Sequence, residues 1–367
     1  MRVDFIDLKA QYRAYKKEID EAILEVIKNA TFIGGQKVAE LENELAQYTG
    51  TNYAISCSSG TDALLLSLMA IGIKEGDEVI TTPFTFIATA EVISLLKAKV
   101  VFVDIDEKSY NIDPKKIKDA ITSKTKAIIA VSLFGQPADM DEINTIAKNS
   151  SNKICVIEDA CQSFGATYKE KKSCNLSDIA CTSFFPSKPL GCYGDGGAVF
   201  TNNEEIAKKI SMLKNHGQTK RYEHELIGLN ARLDAIQAAV LLVKLKYFKD
   251  EIQKRVEIAN RYTKYLKDFV ITPFVKEDRR SVYAQYSIRI IERRKEIIRK
   301  LKTAGIPTAI HYPKPLHLQK AFKDLGYAEG DFPIAEKVSK EILSLPMSPF
   351  LSIDDQDYII KTLSKAF

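Results

Sequence analysis

The sequence predicts an α/β fold: a mostly parallel, seven-stranded sheet sandwiched by helices, followed by a smaller C-terminal α+β domain. Three observations carry this. Between about residues 50 and 200, short β-branched runs alternate with helical patterns, as expected for strands joined by crossover helices. A strongly helical tract from Ala231 to Leu266 is long enough to connect two domains. Beyond it the pattern changes to one alternating strand among helices. At 367 residues the chain exceeds one ordinary compact domain, so the expectation is a large domain over residues 1–245, including an N-terminal arm, and a small one over 246–367.

Taken in order, Asn52–Ser56 reads as a strand and Thr61–Met69 as the helix after it. Asp77–Thr81, Val100–Asp104, Ala127–Val131, Ile154–Ile157, Ile179–Phe184 and Gly197–Thr201 continue the strand series, each rich in residues that fit a buried pleat. Tyr283–Ile291 alternates as a strand. Arg294–Ala304 reads as a helix stopped by Gly305, and helix resumes after Pro346–Pro349.

Composition narrows the class. The chain is 45% hydrophobic and 28% charged, with net charge +5 spread along its length, which offers no basic footprint for nucleic acid. No run approaches the roughly 18 apolar residues of a membrane span. The six cysteines have no C-x-x-C pair and read as reduced thiols of a cytoplasmic protein; the N-terminus lacks the apolar core of a secretory signal. His216, His224 and His317 have no ligand spacing with one another or with a cysteine pair, so no metal site is expected.

The chemistry sits at strand ends. Lys188 lies between the apolar Ser183–Pro186 and a glycine-dense turn, downstream of a strand ending in Glu158–Asp159. Such a lysine is either a solvated loop residue or the amine of a Schiff base with a carbonyl such as that of pyridoxal 5′-phosphate (PLP). PLP needs a carboxylate at its pyridinium nitrogen; Asp159 suits that role, or a helix cap or ion pair. Gln162 could bond the cofactor's phenolic oxygen. Ser58–Asp62, between a strand and a helix, suits a phosphate on free amides or a plain N-cap. Phe86 follows the next strand and reads either as core or as a ring stacked on a cofactor. The glycines from Gly191 to Gly197 precede a strand rather than opening a helix, which rules against a dinucleotide loop.

The order of these segments resembles that of the fold-type I PLP enzymes. It is similar in particular to the sugar aminotransferases of the DegT/DnrJ/EryC1/StrS family, from Phe5–Leu8 and Gly34–Gly35 through Val131–Gln136, Glu158–Ala160 and Ser183–Lys188 to Gly228–Asp234. Within that family it looks most like enzymes that aminate C3 of UDP-2-acetamido-2-deoxy-3-oxo-glucuronate, which share Ser173–Ser177, Phe185–Gly197 and His311–Pro313.

The resemblance implies PLP as cofactor, with pyridoxamine phosphate (PMP) as its alternate form and L-glutamate as amino donor. Lys188 would be the Schiff-base lysine; Gly60, Thr61 and Ser183 would hold the phosphate, and Asp159 the ring nitrogen. Asn230 and Arg232 match positions that reach into a neighbour's site, implying a homodimer with composite sites. Arg232 would meet a substrate carboxylate, and His311 and Tyr312 the sugar. A dehydratase of the same superfamily would carry histidine at position 188. The remaining alternatives are a dTDP- or UDP-linked keto-6-deoxyhexose as substrate, and a PLP-binding regulatory protein without turnover.

Overall fold

The computed structural model describes residues 3–367. In chain order the large region comprises α1 (Leu8–Asn29), α2 (Gln36–Thr49), β1 (Tyr53–Cys57), α3 (Gly60–Ala70), β2 (Glu78–Thr81), α4 (Ala88–Leu95), β3 (Lys99–Phe102), α5 (Pro114–Ala120), β4 (Thr125–Val131), α6 (Met140–Asn149) and β5 (Cys155–Asp159). The short β6 (Thr167–Tyr168) and β7 (Lys171–Lys172) follow, then β8 (Ile179–Ser183), β9 (Gly197–Thr201) and α7 (Glu204–Leu213). A hairpin, β10 (Gln218–Lys220) with β11 (Glu223–His224), leads into the long α8 (Ala235–Leu266). The remainder holds β12 (Arg279–Arg280), which pairs with β6, then β13 (Tyr286–Arg289), α9 (Arg294–Thr303), α10 (Pro333–Glu341), β14 (Ile342–Leu345) and α11 (Ile353–Ser364).

The seven strands anticipated from the sequence form one sheet in the order β1-β9-β8-β5-β4-β2-β3. Only β9 runs against its neighbours, pairing antiparallel with β1 and β8. Successive residues of a strand face opposite sides, and the two sides bury different cores. Ala127, Ile129 and Val131 of β4 join α3 and α4 in one core, whereas Ile128 and Ala130 pack with Met140 and Ile143 of α6 in another. Both faces are covered, which is why the strands read as continuous apolar runs rather than alternating ones.

α8 is shared between two cores. Its Ala238 and Leu241 pack against Phe184 and Phe200, while its Ile258, Tyr262 and Leu266 pack with β13, β14 and α9. The helix passes through residue 245 without a break. It starts at Ala235 rather than Ala231, because Asn230 bridges Asn215 and Ala231 bonds both Lys214 and Ser58 through its backbone. The strand expected over Tyr283–Ile291 shortens to Tyr286–Arg289; upstream, Tyr283 has φ 47° and the Val282 amide donates to Gly135. No helix among the described residues is long and apolar enough to cross a membrane.

Candidate active site

The site gathers at the carboxyl ends of the parallel strands, where open α/β sheets leave a crevice. The loop after β1 turns into α3 at Gly60. A Cβ on Gly60 would lie 2.7 Å from Ser183 Cβ and 2.9 Å from Cys161 Sγ, so glycine is what lets the ends of β1, β5 and β8 converge. Ser59 caps α3 by accepting from the Asp62 amide at 3.0 Å, and the Ala63 amide donates to the Ser59 carbonyl. The Gly60 and Thr61 amides make no hydrogen bond to a described residue. Capping α3 therefore leaves these two amides free, and a helix N-terminus with free amides suits an anion.

β5 delivers two acids to opposite faces. Asp159 is 5% exposed; its Oδ2 accepts from Thr89 Oγ1 at 2.8 Å and its Oδ1 from the Cys161 amide at 3.2 Å. Among the described residues no Lys, Arg or His nitrogen forms an ion pair with it. A buried carboxylate without a cation is costly, and a protonated ring nitrogen would remove that cost. Glu158, fully buried, accepts from Ser132 Oγ at 2.8 Å, Ser173 Oγ at 2.7 Å and the Cys174 amide at 2.8 Å. Burial pushes its carboxyl above the ordinary range.

Lys188 follows β8 on a turn fastened by its own amide to the Phe185 carbonyl at 2.8 Å. It is half-buried, and Nζ makes no hydrogen bond or ion pair with a described residue. Its charge reaches the neighbours: burial and the Lys188 ammonium together lower His311, and the same ammonium partly offsets the upward push of burial on the Cys161 thiol. His311 Nδ1 lies 2.9 Å from Ser344 Oγ.

Gln162 accepts from the Phe134 amide at 2.8 Å and donates through Nε2 to the Tyr312 hydroxyl at 3.1 Å. Burial raises the Tyr312 phenol, which therefore stays protonated. Phe86, 55% exposed, has its ring centroid 6.4 Å from that of Tyr312; its neighbour Phe84 takes the core position, with no exposure. An aromatic face open to the crevice suits a platform for a ring.

Asn230 and Arg232 lie on the segment whose Ala231 carbonyl accepts from the Ser58 amide at 3.1 Å, beside the α3 turn. Arg232 Nη1 donates to Asn215 Oδ1 at 2.7 Å and its buried Nε has no partner. No hydrogen bond joins either residue to Asp159 or Lys188 among the described residues. Thr89, Cys161 and Ser344 were not singled out in the sequence. The only signal for Thr89 was its place in the run Pro83–Thr89 after β2. Among the described residues no cluster of three or more His, Cys, Asp or Glu could hold a metal ion.

Free amides at a glycine turn, an unpaired buried carboxylate, a lysine and an exposed aromatic face form a donor set that fits a phosphorylated pyridine aldehyde. The model of the DegT/DnrJ/EryC1/StrS aminotransferase family matches residues 13–364. The chain belongs to this family. It is 52% identical over 350 residues to the UDP-2-acetamido-2-deoxy-3-oxo-D-glucuronate aminotransferase of Pseudomonas aeruginosa, covering 95% of this chain and 96% of that protein. A crystal structure of a family aminotransferase from Brucella abortus superposes with TM-score 0.96 at 43% identity, covering 99% of both chains. The Bacillus subtilis protein ntda, solved with bound cofactor PMP, superposes with TM-score 0.92 at 32% identity, covering 100% of this chain and 85% of that one. The architecture is that of PLP fold type I.

Proposed function

We propose that this chain is a PLP-dependent nucleotide-sugar aminotransferase. It moves the amino group of L-glutamate to the 3-keto carbon of a nucleotide sugar, UDP-2-acetamido-2-deoxy-3-oxo-D-glucuronate, for surface polysaccharide of the lipopolysaccharide O-antigen type. The observation that carries the aminotransferase reading is that Asp159, buried with no ion-pair partner among the described residues, and Lys188 both act on the same neighbour, the Cys161 thiol. The likeness to the Pseudomonas aeruginosa protein supports the substrate.

Bound here, PLP supplies an electron sink that lets an amino group be exchanged for a keto group. The chain does the rest. Gly60, Thr61 and Ser183 bind the phosphate, and Phe86 and Gln162 orient the ring. Asp159 keeps a proton on the ring nitrogen, with Thr89 and Cys161 fixing its carboxylate. Lys188 tethers the cofactor between turnovers, and its released Nζ takes a proton from one carbon and returns it to another. His311 and Tyr312 border the sugar.

The working unit in this reading is a homodimer. Asn230 is exposed, and Asn215 fixes the Arg232 guanidinium; both project toward a partner's site, where the fork of Arg232 grips a uronate or glutamate carboxylate. The division of the chain at 245/246 is part of the same proposal, with α8 the rigid strut across it. Six free thiols accord with a cytoplasmic location.

Borohydride reduction followed by peptide mass spectrometry tests the cofactor assignment: the added mass should fall on Lys188, and a reduced protein without it refutes the assignment. Turnover of the uronate against a dTDP-linked 6-deoxy-keto sugar tests the substrate. The uronate should be preferred, and Arg232→Gln should erase that preference by about 10- to 100-fold. A preference for the 6-deoxy sugar would assign the other substrate, and no turnover of either would favour a regulatory protein.

A further inference from the structure

The turn that carries Lys188 rests on α8, and one residue there has no role in the chemistry described so far. Lys244 is 2% exposed, yet its ammonium has no carboxylate within ion-pair distance among the described residues. Nζ donates to the Gly191 carbonyl at 2.7 Å and lies 4.3 Å from the centre of the Tyr193 ring. Two helical turns earlier on the same face, Gln237 accepts from the Tyr193 amide at 2.8 Å. The turn is closed on itself as well: a Cβ on Gly191 would lie 2.5 Å from the Pro186 carbonyl oxygen, and the Cys192 amide donates to the Phe184 carbonyl at 2.8 Å.

We propose that Lys244 is a positioning residue for Lys188: it clamps the Phe185–Tyr193 turn onto α8, so that the Lys188 amine is presented to the site from a fixed base. The proposal rests on the cofactor role assigned above to Lys188. A surface lysine could not do this, because water would compete for both carbonyl and ring. Burial concentrates both interactions, and it also lowers the Lys244 ammonium to about 8. A cation kept at that cost has a use, since replacing it with an apolar side chain would avoid the cost altogether.

The test compares Lys244→Met, which keeps the stem and removes the donor and charge, with Tyr193→Leu and Tyr193→Phe. Tyr193 is 36% exposed, so its variants remain folded even if Lys244→Met does not. Amide hydrogen exchange over Phe184–Tyr193 in the holoenzyme should quicken about 10-fold or more in Lys244→Met, less in Tyr193→Leu, and stay unchanged in Tyr193→Phe, which keeps the ring. The kcat should fall about 10- to 100-fold in Lys244→Met, with KM for both substrates within about twofold. Exchange unchanged in both Lys244→Met and Tyr193→Leu, or a loss confined to KM, would overturn the clamp. Failure of borohydride to tag Lys188 in the unaltered protein would instead overturn the cofactor role, while the exchange data still decide whether the clamp exists.

Discussion

Glu158 and Asp159 are adjacent on β5, both buried and both without a cation among the described residues, but they point to opposite faces of the sheet. On one face Glu158 meets two serine hydroxyls and a backbone amide. On the other, Asp159 meets one hydroxyl and one amide at the mouth of the crevice. The first carboxylate is enclosed by the protein, and its raised pKa records what remains of the burial penalty. The second has fewer donors, and its charge acts on the Tyr312 phenol and, together with Lys188, on the Cys161 thiol. The difference teaches that burial alone does not separate the two acids. In the function proposed above, what separates them is how many donors the protein supplies and whether a ligand can reach the carboxylate.

The sharpest way to break this comparison is to neutralise each acid in turn. Asp159→Asn should lower kcat/KM by about 100- to 1000-fold, because it removes a preorganised charge where the ring nitrogen must stay protonated, with little change in unfolding free energy. Glu158→Gln should do the reverse. Its amide replaces one of two accepting oxygens with an N–H donor where three donors converge, which should cost about 1 to 3 kcal/mol of stability, measurable by urea denaturation, while turnover stays within a few-fold. Equal losses of activity in the two variants would show that the faces are not divided in this way.

A smaller effect tests the support beneath Asp159. Thr89→Val is close to isosteric and removes one hydroxyl bonded to a carboxylate. About a 10-fold loss in kcat is expected, with the Lys188 borohydride tag retained. Loss of the tag together with activity would mean that Thr89 holds the cofactor itself rather than the aspartate.

Much of this was legible in the sequence. Strands buried on both faces need unbroken apolar runs, so all seven could be read, and the site residues follow those strands directly. Lys188 and Asp159 stood out because a charge beside an apolar run demands an explanation. What could not be read is set by distant contacts. β3 stops at Phe102 rather than Asp104 because Asp104 turns to cap α10, accepting from the Ile334 and Ala335 amides. Thr89 sits in the first turn of a helix, and the face it presents depends on how α4 packs against β5. Lys244 looks like any other lysine in a helical tract, because its burial is created by a turn far away in the chain.

The smallest expected effect concerns pH and returns to Glu158. Its folded-state pKa is raised by burial, so the folded protein prefers the protonated form. Its contribution to stability is therefore full below the ordinary carboxylate pKa and is lost as pH rises through the folded-state value. Glu158→Gln has no such titration. The stability gap between the unaltered protein and Glu158→Gln should thus narrow as pH rises from about 5 to about 8, because only the unaltered protein carries a group that gives up its proton more readily unfolded than folded. Urea titrations of both proteins at the two values measure this directly. A gap that widens with rising pH would mean that the three donors more than offset burial. Glu158 would then be a charge the fold welcomes, and its contrast with Asp159 would rest on location alone.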